Sequence, residues 1–183
     1  MKKSKIIDAM METARDLGLS PMTIKEIDSL NSIKLIPPNT AEPICRSITS
    51  TLPEWFGQPE ANERYAKGVS ERISFAAFDH EEPVGLLTLE FQYPGNGNIY
   101  WLGVKKSHHH QGVGTHLMEA AEKYCIQRQC QFMTLETLSE KNLDAAYLET
   151  YKFYKKHGFQ PLFEMPTYGP ECLMVYMLKT LKN

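Results

Sequence analysis

The sequence predicts an α+β protein built on one mixed, mostly antiparallel sheet of about seven strands. Two observations carry that reading. Between Ile73 and Val104, three apolar runs are separated by the turns Asp79-His80-Glu81-Glu82-Pro83 and Tyr93-Pro94-Gly95-Asn96-Gly97. Consecutive strands joined by tight, turn-rich connections form an antiparallel meander. The last of these runs, IYWLGV, passes through KKSHHH into Gln111-Gly112-Val113-Gly114-Thr115, an amphipathic helix and another strand. A strand, a helical crossover and a strand imply parallel pairing at that point.

The elements follow in order. Apolar residues at Ile6, Ile7, Met10, Met11, Ala14 and Leu17 have helical spacing, and Gly18 ends the run. Ser20-Pro21 restarts a short helix, MTIKEIDSL. Together these form an N-terminal helical extension, residues 1–31, ahead of a main domain, residues 32–183. Two short helices around a glycine turn also fit a DNA-reading pair. The second one, however, offers Lys25 beside Glu26 and Asp28, a poor match to phosphates.

Ser32 to Pro37 reads as a first strand, stopped by Pro37-Pro38. Thr40 to Leu52 reads as a helix with Thr40 as its cap. The loop LPEWFGQPE follows, carrying the aromatic pair Trp55-Phe56. Pro59 to Val69 is helical, with Asn62, Arg64 and Lys67 outward. Strands are expected at Ile73–Phe78, Val84–Phe91 and Asn98–Val104. The helix after the glycine turn has an apolar face of Val113, Leu117, Ala120, Ala121, Tyr124 and Cys125. Gln131–Thr137 is the next strand. Leu143–His157 is a helix ended by Gly158, and Phe159 starts a strand. Cys172–Met177 closes the sheet.

Length and charge narrow the function. The 183 residues suit one domain with a sizeable core. A net charge of −2 argues against a general nucleic-acid binder. No apolar run approaches the roughly 20 residues that span a bilayer. Asp8, Glu12 and Asp16 interrupt any signal-peptide core after the basic start. A cytoplasmic protein is expected. Cys45, Cys125, Cys130 and Cys172 have no C-x-x-C spacing and read as reduced thiols.

The glycine turn carries the chemistry. The first N–H groups of a helix lack partners inside the helix, and its dipole adds partial positive charge there. Gly112 and Gly114 put no Cβ between those groups and an anion. The dinucleotide fingerprint is absent, since Leu117 stands where it needs Gly or Ala, and no Gly-Lys-Ser/Thr follows. Adjacent side chains in His108-His109-His110 point different ways, so no metal site is expected from them. His109 is expected to touch phosphate.

The segment His109-His110-Gln111-Gly112-Val113-Gly114 resembles motif A of the GNAT family of N-acetyltransferases, Q/R-x-x-G-x-G/A after a strand. His109 stands where the family usually has Gln or Arg. Phe153-Tyr154-Lys155-Lys156-His157-Gly158-Phe159 resembles the family's motif B ending, a helix carrying Tyr that runs into Gly-Phe and a strand. The resemblance covers roughly residues 33–181. It implies a GNAT-like acyl-CoA N-acyltransferase fold with helices on both faces of the sheet.

It also implies acetyl-CoA as co-substrate. The pyrophosphate would sit on the N–H groups from His110 through Gln111, Gly112, Val113 and Gly114 to Thr115. The pantetheine arm would add to the free edge of Leu102-Gly103-Val104, in a slot between splayed strands four and five. A backbone N–H near Val104 would polarise the thioester. Tyr154 stands at the family's general acid. Tyr147 replaces the Asn that many members set against the pantetheine arm.

The acceptor would be a primary amine of a small molecule or peptide, attacking directly through a tetrahedral intermediate. An ammonium cannot attack, so a base is needed. Strand alternation puts Glu90 with Thr88, opposite Leu87, Leu89 and Phe91, and makes it the first candidate. Glu60 is the second. Trp55, Phe56 and Glu60 would line the acceptor pocket. The alternative is a non-catalytic acyl-CoA sensor that uses the N-terminal helices as a partner-binding arm. A monomer or homodimer fits either reading, with no membrane partner and no nucleic acid.

Overall fold

The computed structural model describes residues 33–142, 144–166 and 172–182. The helices expected between Ile6 and Leu30 lie outside the described residues. Among the described residues, seven strands form one sheet in the order β1-β2-β3-β4-β5-β7-β6. They are β1 (Ile33–Ile36), β2 (Ile73–Asp79), β3 (Glu82–Glu90), β4 (Asn96–Val104), β5 (Phe132–Leu138), β6 (Gln160–Met165) and β7 (Met174–Thr180). All neighbours pair antiparallel except β4 and β5, which are parallel across the expected crossover. The helices are α1 (Pro38–Thr49), α2 (Pro59–Val69), α3 (Val113–Gln127) and α4 (Ala145–Lys156). No described helix is long and apolar enough to cross a membrane.

Two helix starts differ from expectation. α1 begins at Pro38, so Pro37-Pro38 both stops the strand and opens the helix. Proline lacks an N–H, which the first helical position does not need, and its fixed φ already suits the helix. Thr40 is therefore inside the first turn, where its hydroxyl donates to the Pro37 carbonyl at 2.7 Å. α4 is capped by Asp144, whose carboxylate accepts the Tyr147 N–H at 3.0 Å.

The sheet separates two apolar layers. Phe75, Ala77, Leu87 and Leu89 face α3 and α4, together with Leu117, Met118, Met133, Leu135 and Tyr154. Ala76, Leu86 and Trp101 face α1 and α2, together with Ile44, Cys45, Ile48 and Val69. On the α1 and α2 side, the hydroxyls of Ser74 and Thr88 are fully buried and satisfy each other at 2.8 Å.

The register of β3 on β4 slips once. Thr88 pairs with Trp101 and Leu89 pairs with Ile99, so Tyr100 is an extra residue in β4. Tyr100 and Trp101 consequently both turn toward α1 and α2. Pairing of β4 with β5 covers Asn96–Ile99 against Phe132–Leu135 and stops there. A bulge adds twist and bends the strand that carries it. β4 therefore leaves β5 at Tyr100, and its edge from Trp101 to Val104 has no strand partner on that side.

The buried hydroxyl pair gives a test of this layer. Thr88→Val should cost about 1–3 kcal/mol in denaturant unfolding, because the Ser74 hydroxyl is left buried and unpaired. The double variant Ser74→Ala/Thr88→Val should recover most of that loss.

Candidate active site

The glycine turn is built from a strand end and two left-handed residues. Lys105 N–H makes a last bond to Val84 O at 2.8 Å, and a single helical turn covers Lys106–His108. His110 then has φ +60° and Gly112 has φ +84°. The first bond inside α3 runs from His116 N–H to Gly112 O at 3.0 Å. Among the described residues, the N–H groups of Val113, Gly114 and Thr115 have no protein acceptor. They open a helix of 15 residues, so its dipole is directed at the same place.

The two glycines have different tasks. A Cβ on Gly112 would meet only His116 Cε1 at 3.6 Å, so the left-handed φ is what requires glycine there. A Cβ on Gly114 would press on the Phe153 ring at 3.3 Å. Gly114 thus also lets α3 approach α4 closely.

Three side chains brace the turn. Gln111 Nε2 donates to Ser107 O at 2.8 Å. His108 lies between Ser107 Oγ at 2.9 Å and Asp79 Oδ2 at 3.3 Å. His109 Nε2 donates to the Val104 carbonyl at 2.8 Å, so its ring turns back on the strand end instead of toward an anion. His157 meets Thr115 Oγ1 at 3.3 Å, and burial, with Lys179 and Lys156 nearby, lowers its pKa.

The free edge of β4 and α4 both approach this turn, since a Cβ on Gly114 would lie 3.3 Å from the Phe153 ring and 3.9 Å from Val104. Tyr154 on α4 is 7% exposed, between the rings of Phe153 and Phe159. Burial pushes its phenol well above the ordinary value, and Tyr147 adds to the rise. The group is therefore a neutral O–H donor, and among the described residues nothing accepts its proton. The loop between α1 and α2 is strapped to α4. Trp55 Nε1 donates to Thr150 Oγ1 at 3.0 Å and Ala146 O at 3.2 Å, both on α4. The Tyr147 hydroxyl donates to Trp55 O at 2.6 Å. The Trp55 ring meets His109 edge-on at 5.6 Å, and Glu54 pairs with Lys106.

The model of the acetyltransferase (GNAT) family matches residues 42–159. The chain belongs to the GNAT acetyltransferase family. Three solved structures resemble it. A GNAT-family structure from Desulfovibrio desulfuricans is 15% identical with a TM-score of 0.72, over 82% of this chain and 98% of that one. The ribosomal-protein-S18-alanine N-acetyltransferase of Escherichia coli is 17% identical with a TM-score of 0.67, over 82% and 94%. An aminoglycoside 6′-N-acetyltransferase complexed with coenzyme A is 23% identical with a TM-score of 0.64, over 82% and 97%. These likenesses concern the fold. Comparison with curated proteins returns no significant match.

In this GNAT acyltransferase, the residues expected on the acceptor side are only partly brought together. Phe56 stacks on Trp101 at 5.5 Å and belongs to the α1–α2 layer. Glu60 is exposed in the first turn of α2, where it complements the helix dipole. Asn62, expected outward, turns inward to donate to Phe56 O at 2.7 Å. Glu90 does face α2, but both its oxygens are engaged. Oε2 accepts from Arg72 Nε and Oε1 from Asn98 Nδ2, each at 2.9 Å. The Arg72 guanidinium also covers the Tyr100 ring at 4.0 Å. Glu90 is thus part of an ion pair that fixes the floor beside the bulge.

A different carboxylate stands at the opening. Glu136 is the first β5 residue beyond the last β4 pair, Ile99 with Leu135. It alternates with Thr134, whose hydroxyl donates to Asn98 Oδ1 at 2.9 Å on the α2 side. It is exposed, and no described residue hydrogen-bonds it. The alternation of Met133 and Leu135 against Thr134 and Glu136 was legible in the sequence. The point where β4 leaves β5 was not.

The turn geometry yields one expectation. Gly112→Val forces a β-branched residue into the left-handed region and should destabilise by about 1–3 kcal/mol in chemical denaturation. The cost should follow chiefly from φ, because the added Cβ makes only an ordinary contact with His116.

Proposed function

We propose that the chain transfers the acetyl group of acetyl-CoA to a primary amine by direct attack. The observation that carries this is the opening of β4 from β5. The free strand edge on β4, the buried phenol on α4 and the α3 N–H groups that lack a protein acceptor among the described residues would together wall a slot. Those features suit an acyl-CoA: amides on the strand edge, sulfur near the phenol, phosphates on the N–H groups. The coenzyme A complex of the aminoglycoside acetyltransferase of the same fold supports that choice of co-substrate.

The N–H groups of Val113, Gly114 and Thr115, with those of His110, Gln111 and Gly112, would hold the pyrophosphate. Leu102, Gly103 and Val104 would hold the arm. His109 supports Val104 from behind, and Tyr147 and Trp55 close the slot over it. On the α2 side, the amine would enter between Tyr100 and Glu136. Its nitrogen attacks the thioester carbon, and Glu136 takes the proton that it sheds, directly or through water. The C–S bond then breaks. The thiolate leaves with the proton of the Tyr154 hydroxyl, which is recovered from solvent. Base and acid lie on opposite sides of the sheet opening, so neither proton crosses the other's path.

Three variants test these roles. Tyr154→Phe keeps the ring and should lower kcat at least about tenfold with acetyl-CoA affinity little changed. Wild-type turnover in that variant would remove Tyr154 as the acid. Glu136→Gln should lower kcat by a similar factor, whereas Glu90→Gln should act on stability by leaving Arg72 unpaired. The reverse pattern would restore Glu90 as the base. Because burial favours protonated Tyr154 in the folded chain, its contribution to stability is intact below the ordinary phenol pKa of about 10 and declines above it. Calorimetric titration of acetyl-CoA tests the co-substrate itself: no binding to the wild-type chain would overturn the reading.

A further inference from the structure

Beyond Glu136, no described helix covers the α2-facing side of the sheet. α1 and α2 pack over β2, β3 and β4, and among the described residues neither covers β7 or β6. Three residues cross this open part in one row. Glu136 on β5 is in register with Tyr176 on β7, which is in register with Phe163 on β6. Their side chains share a face, because cross-strand partners do. The Tyr176 hydroxyl points toward Thr134 Oγ1, at 3.4 Å, which fixes the face as the α2 side. The Phe163 and Tyr176 rings stack at 5.4 Å and 8°, yet Phe163 is 48% exposed. Adjoining them, Leu162 is the extra residue of a bulge in the edge strand and is 58% exposed.

An aromatic pair held flat in water beside an unpaired carboxylate is a binding surface more than a core. Strands lie about 4.8 Å apart, so the shelf extends about 10 Å from Glu136 to the sheet edge. It is continuous with the opening where the amine would be acetylated. We propose, building on the acetyl-transfer reading above, that the acceptor is the N-terminus of a polypeptide whose first side chain is apolar and lies on the Tyr176–Phe163 shelf.

Two arguments favour this acceptor. The first is acid–base matching. An α-amino group has a pKa near 8, against about 10.4 for a lysine side chain. At neutral pH an appreciable fraction of α-amine is already free, and Glu136 has only to hold its ammonium form and remove the last proton. The second is shape. The shelf runs out over the edge strand, so an acceptor seated on it continues into solvent past β6. A polypeptide does this, whereas a small polyamine would leave the rings uncovered.

The experiment uses the full chain, acetyl-CoA and a thiol reagent that reads released CoA. The acceptors are short peptides with a free α-amine and Phe, Leu or Asp first. N-formylated peptides with an internal Lys, and spermidine, complete the set. Apolar-first peptides should exceed Asp-first ones in kcat/KM by at least about tenfold, as burial of one apolar side chain requires. Phe163→Ala should remove most of that preference through KM, with acetyl-CoA affinity unchanged by calorimetry. Tyr176→Phe, which keeps the stack, should retain it. Preference for the formylated Lys peptides or spermidine, or an unchanged preference in Phe163→Ala, would overturn the proposal. Acetyl-CoA binding without turnover of any peptide would overturn it and leave acetyl transfer standing. Absence of acetyl-CoA binding would take down both.

Discussion

One extra residue in β4 is the constraint on which the rest depends. With Tyr100 inserted opposite β3, the strand bends, and its pairing with β5 ends at Ile99. Without that slip, β4 and β5 would continue to pair, and Trp101–Val104 would have no free edge. The glycine turn after Val104 would lose its relation to the slot. The bulge also turns two successive rings, Tyr100 and Trp101, to one face. There Arg72 covers Tyr100 and in turn holds Glu90. Trp101 Nε1 is buried without a hydrogen-bond partner among the described residues, a cost that comes with forcing the indole into this layer.

The second constraint is the fastening of separate segments around the opening. α4 reaches the slot through Tyr154 and receives the α1–α2 loop through Ala146, Tyr147 and Thr150. The turn before α3 is fixed to the β2–β3 hairpin by His108 on Asp79 and Lys105 on Glu82. Most of these links are single hydrogen bonds or exposed ion pairs, each of modest strength. Their effect is positional: strand end, helix start and loop share one small region, so a shift in one is felt by the others.

Much of the fold was legible because the signals were local. The meander, the crossover and the glycine turn depend on nearby residues, and they appear where the sequence predicts them. The cap of α1 was misread because the two prolines serve strand and helix together. The site was legible where it is backbone-built, at the glycine turn. It was less legible where a side chain depends on distant partners. His109 faces Val104 instead of an anion, and Glu90 is engaged by Arg72 and Asn98. Glu136 went unnoticed because its position matters only relative to where β4 departs, and no pattern within QFMTLET records that.

The strap across the slot also makes the molecule its own reporter. The chain has two tryptophans. Trp101 is sealed in the α1–α2 layer, while Trp55 is half-buried at the mouth with its indole N–H shared by two oxygens of α4. An indole's emission depends on the polarity and hydrogen bonding around it. The two chromophores therefore sit in environments that differ before anything binds, and only one of them adjoins the slot. Intrinsic fluorescence from this chain divides into a fixed internal standard and a signal that follows what occupies the mouth.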